Sequence, residues 1–250
     1  NDIVSSFPKT AKSCRLDVRD KESIQTALDL ALVGFGRIDV LVNNAGFGFS
    51  GAFEEMYDQQ IREEFDTNFF GMLNVTRALL PTFRNQGSGH ILNFSSVVGR
   101  MSYPTMGIYS ASKFAIEGAS EALAAEIKDF GIKLTLIEPG PFNTDFGKRS
   151  MGKTTPMPEY AQLHEKMKQR TGALQYGDLD SAVQAMLNVV ELNEPPLRLP
   201  LGFGTLTRIV EKLKADIESY EQNEKLWEPT NLPEHLLELQ TTKQSEVRSS

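Results

Sequence analysis

Short branched apolar runs alternate with longer amphipathic segments between Ser13 and Gly140, and this alternation constrains the fold more than any other feature of the sequence. Short runs of this kind predict strands, and apolar residues at helical spacing predict helices. The predicted strands are Ser13–Val18, Ile38–Val42, His90–Phe94 and Ile132–Ile137, and the predicted helices are Lys21–Gly36, about Glu54–Arg84 and Tyr109–Phe130. A chain that alternates in this way folds as an α/β protein with right-handed βαβ units and a parallel sheet.

The sequence changes character after Gly140. Residues 146–177 are rich in Lys, Gln, Met, Gly and Pro and have weak helical periodicity, so we predict a mobile loop-helix insert there. Three further elements are predicted, namely a helix at Asp178–Leu192 with Asp178 as its N-cap, a strand at Leu197–Leu201 and a helix at Thr205–Tyr220. We expect one domain over residues 1–225 and a polar tail over residues 226–250.

Composition argues against several classes of function. The chain has one cysteine, Cys14, which rules out an intrachain disulfide and argues against a zinc site built from cysteines. The three histidines share no metal-ligand spacing, so no metal site is expected. A net charge of -7 disfavours binding to nucleic acid phosphates, and no apolar run approaches the roughly 20 residues that span a bilayer. The acidic pairs Glu54-Glu55 and Glu63-Glu64 indicate a solvated face.

Tyr109 and Lys113 are four residues apart on a predicted helix, so their side chains point to the same face. A neighbouring ammonium favours the phenolate, which would lower the pKa of a tyrosine from its usual value of about 10. Three predicted strands end in small or hydrogen-bonding residues, namely Asn43-Asn44-Ala45-Gly46, Ser95-Ser96 and Pro139-Gly140. Ligands of open α/β sheets bind outside the carboxyl ends of the strands, so this edge is the expected site.

In their order and spacing, these motifs resemble those of the short-chain dehydrogenase/reductase family, in the group with serine, tyrosine and lysine in the active site. The matching stretches are Asn43–Gly46, Thr67–Gly71 around Asn68, Ser95–Gly99, Tyr109–Lys113 and Pro139–Thr144. The resemblance implies a Rossmann-like, doubly wound parallel sheet. It also implies an NAD(P)-dependent oxidoreductase that transfers a hydride between a nicotinamide and a carbonyl or an alcohol.

The resemblance implies a catalytic role for four residues. Tyr109 would be the general acid in carbonyl reduction and the general base in alcohol oxidation, with Lys113 lowering its pKa and bonding the nicotinamide ribose. Ser96, thirteen residues before Tyr109, would hydrogen-bond the substrate oxygen. Asn68 would hold a water that relays protons from Lys113.

Further residues that match the family pattern would bind the cofactor together with Tyr109 and Lys113. They are Asp17 at the adenine, Asn43, Ala45 and Gly46 at the middle of the cofactor, and Pro139, Phe142 and Thr144 beside the carboxamide. The residue that would separate NAD from NADP follows the second strand of the family fold, so NADP is favoured here only through the family's reductive members.

The sequence departs from the family pattern at one important point. The glycine-rich fingerprint Thr-Gly-x-x-x-Gly-x-Gly is absent, and only sixteen residues precede Asp17, where the family carries a strand, a helix and a second strand. We therefore expect a fragment, a truncated gene product or a portion of a longer protein, in which the strand at Ser13–Val18 has no neighbour. Two other functions stay open, namely a cofactor-free relative that acts as a binding or scaffold protein, and an inactive fragment.

Each assigned residue also has a purely structural interpretation. Tyr109 and Lys113 could be an exposed helical pair, and Asn68 could bond the backbone within its own helix. Asp17 could be a turn residue at the end of a strand. Ser95 could replace Ser96, although alternation along a strand lets only one of the two face the cleft.

The residues that flank the expected site favour an apolar substrate. They are Phe47, Phe49, Met101, Tyr103 and Met106. Methionine adapts to apolar ligands of varied shape, so we expect a medium-sized, partly apolar carbonyl or alcohol as substrate. Family members commonly pair through the two helices that here span about Glu54–Arg84 and Tyr109–Phe130, which favours a homodimer or a homotetramer. The scarcity of cysteine and the lack of a visible anchor favour a cytoplasmic location.

Overall fold

Four parallel strands form the main sheet of the computed structural model, which describes residues 2–228. The strands of the described chain are β1 (Val40–Asn43), β2 (Gly48–Ser50), β3 (Gly89–Phe94), β4 (Ile132–Pro139), β5 (Met151–Lys153) and β6 (Arg198–Leu201). The helices are α1 (Asp2–Ser6), α2 (Lys21–Phe35), α3 (Asp58–Phe65), α4 (Met72–Gln86), α5 (Gly107–Ile127), α6 (Ala161–Gly172), α7 (Leu179–Glu191), α8 (Thr205–Gln222) and α9 (Glu224–Trp227). Short helical turns lie at Phe53–Glu55, Asp66–Gly71, Val97–Gly99, Lys128–Phe130, Phe146–Ser150 and Pro158–Tyr160.

The main sheet has the strand order β1-β3-β4-β6, and every neighbouring pair in it is parallel. The register aligns Asn43 of β1 with Asn93 of β3, and Phe94 of β3 with Ile137 of β4. The carboxyl ends of these three strands therefore meet at one edge of the sheet. The predicted α/β fold with a parallel sheet is confirmed.

Buried side chains project from both faces of the main sheet and pack against helices on each side. One face carries a cluster that includes Leu79, Phe83, Ile91, Ile116 and Leu134. The other face carries a cluster of Leu92, Ile137, Ala182, Val189 and Leu201. Ile91 and Leu92 are neighbours on β3 but belong to opposite clusters, because successive residues of a strand point to opposite faces. This two-sided packing is the doubly wound arrangement, and it holds the strand ends in place.

The ends of two helices follow the signals in the sequence. The Asp178 carboxylate accepts a hydrogen bond of 2.8 Å from the Ser181 backbone N–H, so Asp178 is the N-cap of α7 as predicted. The turn that extends α5 ends at Gly131, whose φ of 70° lies in the left-handed region that glycine adopts at low cost. Both ends are therefore determined locally.

The predicted strand at Ser13–Val18 is wrong. This segment is irregular, and a turn follows Asp17 before α2 begins. A short extended segment gains its stability from a ladder of hydrogen bonds with a neighbouring strand. No neighbour of this kind lies beside the segment in the described residues.

The predicted helix at about Glu54–Arg84 is three helical pieces. Residues Phe53–Glu55 form a separate turn, α3 begins at Asp58, and α4 extends to Gln86. A π-helical turn at Asp66–Gly71 joins α3 to α4, so the helical path continues with one wider turn around Asn68. Turns of this type occur frequently at functional sites because they re-aim side chains within a helix.

The insert at residues 146–177 contains more structure than a loop and a helix. It holds the π-type turn Phe146–Ser150, strand β5 and helix α6. Strand β5 pairs in parallel with β2, with Gly48 beside Met151. The mobility of the insert stays a prediction.

The chain divides into two compact units. The first ends at Leu206, and the second begins at Thr207. The first unit contains the sheet and the residues of the candidate site. Of the second unit, the structure describes residues 207–228, which are mostly helical. The predicted tail at residues 226–250 lies almost wholly outside the described residues, and the division into one domain and a tail stays a prediction. Among residues 2–228 no helix is long and apolar enough to cross a membrane, and no group of acidic, histidine or cysteine side chains could hold a metal ion.

Candidate active site

Ser96 lies two residues after the end of β3 and is the N-cap of the helical turn Val97–Gly99. Its Oγ accepts a hydrogen bond of 3.3 Å from the Val98 backbone N–H and lies close enough to the Tyr109 hydroxyl to lower the pKa of that phenol. Ser95 points elsewhere, because its Oγ lies 2.4 Å from the position that a Cβ on Gly99 would take. Strand alternation therefore places Ser96, and not Ser95, beside Tyr109.

Tyr109 and Lys113 lie on the first turns of α5 and are both buried. Their exposed fractions are 7% and 6%, which excludes an exposed helical pair. The Lys113 Nζ lies 5.6 Å from the centroid of the Tyr109 ring and donates a hydrogen bond of 2.7 Å to the Phe94 carbonyl oxygen. The structure thus brings Ser96, Tyr109 and Lys113 together at the carboxyl end of β3.

Burial dominates the ionisation of this pair. It raises the pKa of Tyr109 above its ordinary value, and the Glu64 carboxylate raises it further, whereas the nearby Ser96 hydroxyl lowers it. Burial also lowers the pKa of Lys113 to about 8, although the Glu64 charge acts in the opposite direction. Near neutral pH the arrangement therefore holds a phenol that can donate a proton, next to an amine that can give up its own.

Asn68 occupies the π-helical turn and is buried, with 1% of its surface exposed. Its Oδ1 accepts a hydrogen bond of 3.0 Å from Phe47 N, and its Nδ2 donates to Phe47 O at 2.7 Å and to the Ser112 hydroxyl at 3.0 Å. The amide therefore holds the segment after β1 against α5, which is more than a bond within its own helix. Its predicted part in a proton relay is not tested by these contacts.

The segment after β1 carries three of the predicted cofactor residues. The Asn43 Nδ2 donates to Thr76 at 3.0 Å and to Asn93 at 2.8 Å, so this side chain ties β1 to β3 and α4. Ala45 is exposed. Gly46 is closely packed, because a Cβ built on it would lie 3.0 Å from Asn68 Oδ1 and 3.8 Å from Lys113 Nζ.

The segment at the end of β4 carries three more of the predicted cofactor residues. The Pro139 carbonyl oxygen accepts a bond of 3.4 Å from the Ser96 hydroxyl, which joins two strand ends. The Phe142 ring packs against Gly177 and Gly202. The Thr144 hydroxyl oxygen accepts a bond of 3.4 Å from the Phe146 backbone N–H, at the start of the insert.

Asp17 lies apart from this group of residues. Its carboxylate forms an ion pair of 2.8 Å with Arg19, and its backbone N–H donates to the Ser23 hydroxyl at 2.9 Å. The hydrogen bonds from Arg19 hold the pKa of Asp17 at about 2. These contacts agree with the alternative interpretation of Asp17 as a turn residue. Its role at the adenine stays a prediction.

Strand β2 and a ring of the insert cover Tyr109. A Cβ built on Gly48 of β2 would lie 2.6 Å from Tyr109 Cδ2 and 3.2 Å from Met151 Cε, so the absence of a side chain at residue 48 lets β2 lie on the ring. The Phe146 ring, in the insert, lies 5.8 Å from the Tyr109 ring between centroids. The insert therefore takes part in closing the site.

Sequence reasoning missed two buried carboxylates near this edge. Glu64 of α3 has no exposed surface, and its Oε2 accepts a bond of 3.0 Å from Phe49 N. Glu55 is 4% exposed and bonds His164 and the backbone of Met157. The expectation of a solvated face is wrong for both. One signal was available for Glu64, because it precedes Asn68 by four residues and so shares its helix face.

Comparisons with known proteins agree with this arrangement. The family model described as short chain dehydrogenase matches residues 2–154, which are more than half of the chain. The 3-ketodihydrosphingosine reductase of Bacteroides thetaiotaomicron is 47% identical over 131 residues, which cover 52% of this chain and 49% of that protein. The chain therefore spans about half the length of this curated relative.

Solved structures share the fold. A short-chain dehydrogenase from Streptomyces avermitilis has a TM-score of 0.86 and 37% identity, and the match covers 93% of this chain and 86% of that one. An alcohol dehydrogenase from the archaeon Thermococcus sibiricus, complexed with 5-hydroxy-NADP, has a TM-score of 0.60 and 25% identity. That match covers 75% of this chain and 72% of the other.

Proposed function

Because the chain belongs to the short chain dehydrogenase family, we propose that it is an NAD(P)-dependent oxidoreductase that interconverts a carbonyl and an alcohol. One observation carries the proposal. Ser96, Tyr109 and Lys113 lie together at the carboxyl edge of a parallel sheet, where ligands of such sheets bind.

In the proposed reduction, Ser96 holds the carbonyl oxygen by a hydrogen bond while Tyr109 gives that oxygen its hydroxyl proton. A bound nicotinamide supplies the hydride. Lys113 stabilises the resulting phenolate by its charge and returns a proton to it. In alcohol oxidation the same groups act in reverse, with Tyr109 as the base.

The residues at this edge fit the nicotinamide half of the cofactor. Lys113 has three N–H donors, and the Phe94 oxygen occupies one of them within the described chain, so two remain for ribose hydroxyls. Gly46 keeps the space beside the ammonium open, since a Cβ there would lie 3.8 Å from Lys113 Nζ. The sequence contains no glycine-rich turn for the pyrophosphate, so the proposed fit concerns the nicotinamide half alone.

We expect a medium-sized, partly apolar carbonyl as substrate. The Phe47 and Phe49 rings stack edge to face, with centroids 5.7 Å apart, on the segment that covers Tyr109. Met101 is buried and its sulfur accepts a hydrogen bond of 2.9 Å from the Tyr103 hydroxyl. The reductase from Bacteroides thetaiotaomicron carries a keto lipid in its name, which supports the same class of substrate.

Three expectations stay predictions. The first is a preference for NADP over NAD, and the second is a cytoplasmic location. The third is a homodimer or homotetramer that forms through α4 and α5. A groove between these two helices is lined by Met72, Leu73, Leu80, Ala119 and Leu123.

A substrate panel tests the proposal. The protein is mixed with NADPH or NADH, cofactor binding is measured by fluorescence energy transfer, and oxidation of the cofactor is followed with long-chain, aromatic and small charged carbonyls. We expect binding and oxidation with the apolar carbonyls. Absence of both with either cofactor would favour the cofactor-free binding or scaffold protein, and reaction with small charged sugars alone would overturn the substrate class.

The two adjacent serines give a matched pair of variants. Ser96→Ala removes the hydroxyl that lies next to the Tyr109 hydroxyl, and we expect turnover to fall about 100-fold. Ser95→Ala removes a hydroxyl that points toward Gly99, and we expect turnover close to that of the wild type. Equal losses in the two variants would show that Ser96 has no special role.

A further inference from the structure

Glu64 is a buried carboxylate in the wall of the candidate site that the mechanism above does not use. It lies on α3, has no exposed surface, and its Oε2 accepts a hydrogen bond of 3.0 Å from the Phe49 backbone N–H. Phe49 belongs to β2, the strand that covers Tyr109. Glu64 therefore connects α3 to the strand that lies on the reacting residue.

The second oxygen of this carboxylate has no hydrogen-bond partner. The Glu64 Oε1 is fully buried and unbonded. Ser112 is close enough to lower the pKa of Glu64, but its single hydroxyl proton is donated to the Tyr109 carbonyl oxygen at 2.8 Å. A buried carboxylate oxygen without a donor is costly, so a carboxylate kept here needs compensation from a nearby charge.

The compensating charge comes from α5. The Lys113 charge lowers the pKa of Glu64. The Glu64 charge in turn raises the pKa of Tyr109. Strand β2 contributes no titratable side chain, and Asp66 of the neighbouring turn is exposed. Burial raises the pKa of Glu64 to about 7, against the lowering effects of Phe49, Lys113 and Ser112. Lys113 is buried as well, and the turn that follows α3 packs on α5 through the bond of 3.0 Å from Asn68 to Ser112, with Lys113 Nζ and Asn68 Oδ1 both beside Gly46. Glu64 and Lys113 are therefore two buried groups of opposite charge on neighbouring helices.

We propose that Glu64 is a positioning residue for the reaction, whose buried carboxylate keeps Lys113 protonated and fixes β2 over Tyr109. The inference rests on the proposed function, because Lys113 matters through its effect on Tyr109. Without the carboxylate, the buried amine loses its compensating charge and gives up its proton at lower pH. The phenolate then lacks its stabilising charge over a wider pH range.

The test compares Glu64→Gln with Glu63→Gln. The first variant removes the charge and keeps an oxygen that can accept from Phe49 N. The second removes the adjacent charge, whose carboxylate accepts a hydrogen bond from Gln59. The Lys113 titration is read by nuclear magnetic resonance of carbon-13-labelled lysine, assigned with Lys113→Arg, and needs no turnover. The pH profile of kcat is measured on the same proteins.

We expect the Lys113 midpoint to fall by about one pH unit or more in Glu64→Gln and to stay unchanged in Glu63→Gln. The alkaline limb of the kcat profile shifts in the same direction. An unchanged midpoint in folded Glu64→Gln would overturn the inference and leave Glu64 as a structural anchor of β2. If Glu64→Gln does not fold, Glu64→Asp keeps the charge and must retain the wild-type midpoint, and a fallen midpoint there would overturn the inference.

The two proposals fail in different ways. A shifted Lys113 midpoint in a protein that oxidises no cofactor would keep the Glu64–Lys113 pair and overturn the proposed function. Normal turnover with an unshifted midpoint would keep the proposed function and overturn the role of Glu64.

Discussion

Glu55 and Glu64 are nine residues apart, both are buried, and both come from acidic pairs. The surroundings of the two carboxyl groups nevertheless shift their pKa values in opposite directions. Burial raises the pKa of each. At Glu55, bonds from Met157 N, His164 and Ala52 N outweigh this effect and hold the pKa at about 2. At Glu64, one backbone N–H donates, and the pKa rises to about 7.

The difference shows that the number of donors decides what a buried carboxylate can do. Both Glu55 oxygens are bonded, and three of the partners, Thr154, Met157 and His164, belong to the insert, so Glu55 anchors the insert to the turn at Phe53–Glu55. Glu64 has one oxygen without a donor and lies next to the candidate catalytic residues. A fully bonded carboxylate is a structural anchor, whereas a partly bonded one stays ionisable near neutral pH.

The largest expected effect is a pair of opposite pH dependences in stability. The folded pKa of Glu64 lies above its ordinary value of 4.5, so its contribution to the free energy of unfolding falls as pH rises from about 4.5 to about 7. Relative to Glu64→Gln, the wild type should lose up to about 3 kcal/mol over this range. Equal slopes in the two proteins, measured by denaturant unfolding at several pH values, would contradict a carboxylate whose pKa is raised by burial.

Glu55 should behave in the reverse sense. Its folded pKa of about 2 lies below the ordinary value of 4.5, so its stabilisation is present above about pH 4.5 and is lost as pH falls toward 2. Wild type and Glu55→Gln should therefore converge in stability at acid pH and diverge above it. If the free energy of unfolding changed with pH in the same direction at both glutamates, the contrast between Glu55 and Glu64 would be wrong.

Removal of Glu55 should affect stability more than activity. Glu55→Ala leaves the bonding groups of Ala52, Met157 and His164 without their acceptor, and we expect the free energy of unfolding to fall by about 2 kcal/mol. The control is Glu54→Ala, whose carboxylate, among the residues described, is bonded to the Tyr160 hydroxyl. Chemical denaturation of both variants measures the difference, and equal losses would argue against an anchor at Glu55.

A methyl group at Gly48 should affect activity more than stability. The Cβ of Gly48→Ala would lie 2.6 Å from Tyr109 Cδ2, so the ring must shift, and a shift of this kind typically lowers turnover. We expect kcat to fall about tenfold. Gly147→Ala is the control, because a Cβ there meets no atom within 4 Å. Unchanged kcat in Gly48→Ala would show that β2 does not constrain Tyr109.

The smallest expected effect concerns the contact between the insert and the loop before α5. The Arg170 guanidinium lies 3.8 Å from the centroid of the Tyr103 ring, a contact worth about 0.5–1 kcal/mol at an exposed site. Arg170→Gln should raise the KM of an apolar substrate a few-fold and leave kcat unchanged. Lys168→Gln is the control, and a change of similar size in it would assign the effect to charge alone.

Local patterns predicted the parts of the fold that depend on local forces. The strands at Ile38–Val42, His90–Phe94 and Ile132–Ile137 are present with small differences in their bounds, because branched apolar runs suit a sheet that is buried on both faces. Ser96, and not Ser95, lies beside Tyr109, which the alternation of side chains along a strand predicts, and the catalytic role of Ser96 stays a prediction.

The features that the sequence did not reveal depend on distant partners. Glu55 is bonded to His164, which is 109 residues away, and β2 pairs with β5 across about one hundred residues. No window of sequence around Glu55 contains those partners, so the acidic pair indicated a solvated face. The strand predicted at Ser13–Val18 failed for the converse reason, because its local pattern was suitable but no neighbouring strand lies beside it in the described chain.

The central claim is that Tyr109 transfers the proton to and from the substrate oxygen. Its most direct test measures cofactor binding and kcat side by side in wild type and in Tyr109→Phe, which keeps the ring that packs under Gly48 and Phe146. We expect cofactor binding to be retained and kcat to fall by a factor of about 100 to 10,000. A Tyr109→Phe variant that turns over at the wild-type rate would contradict the claim.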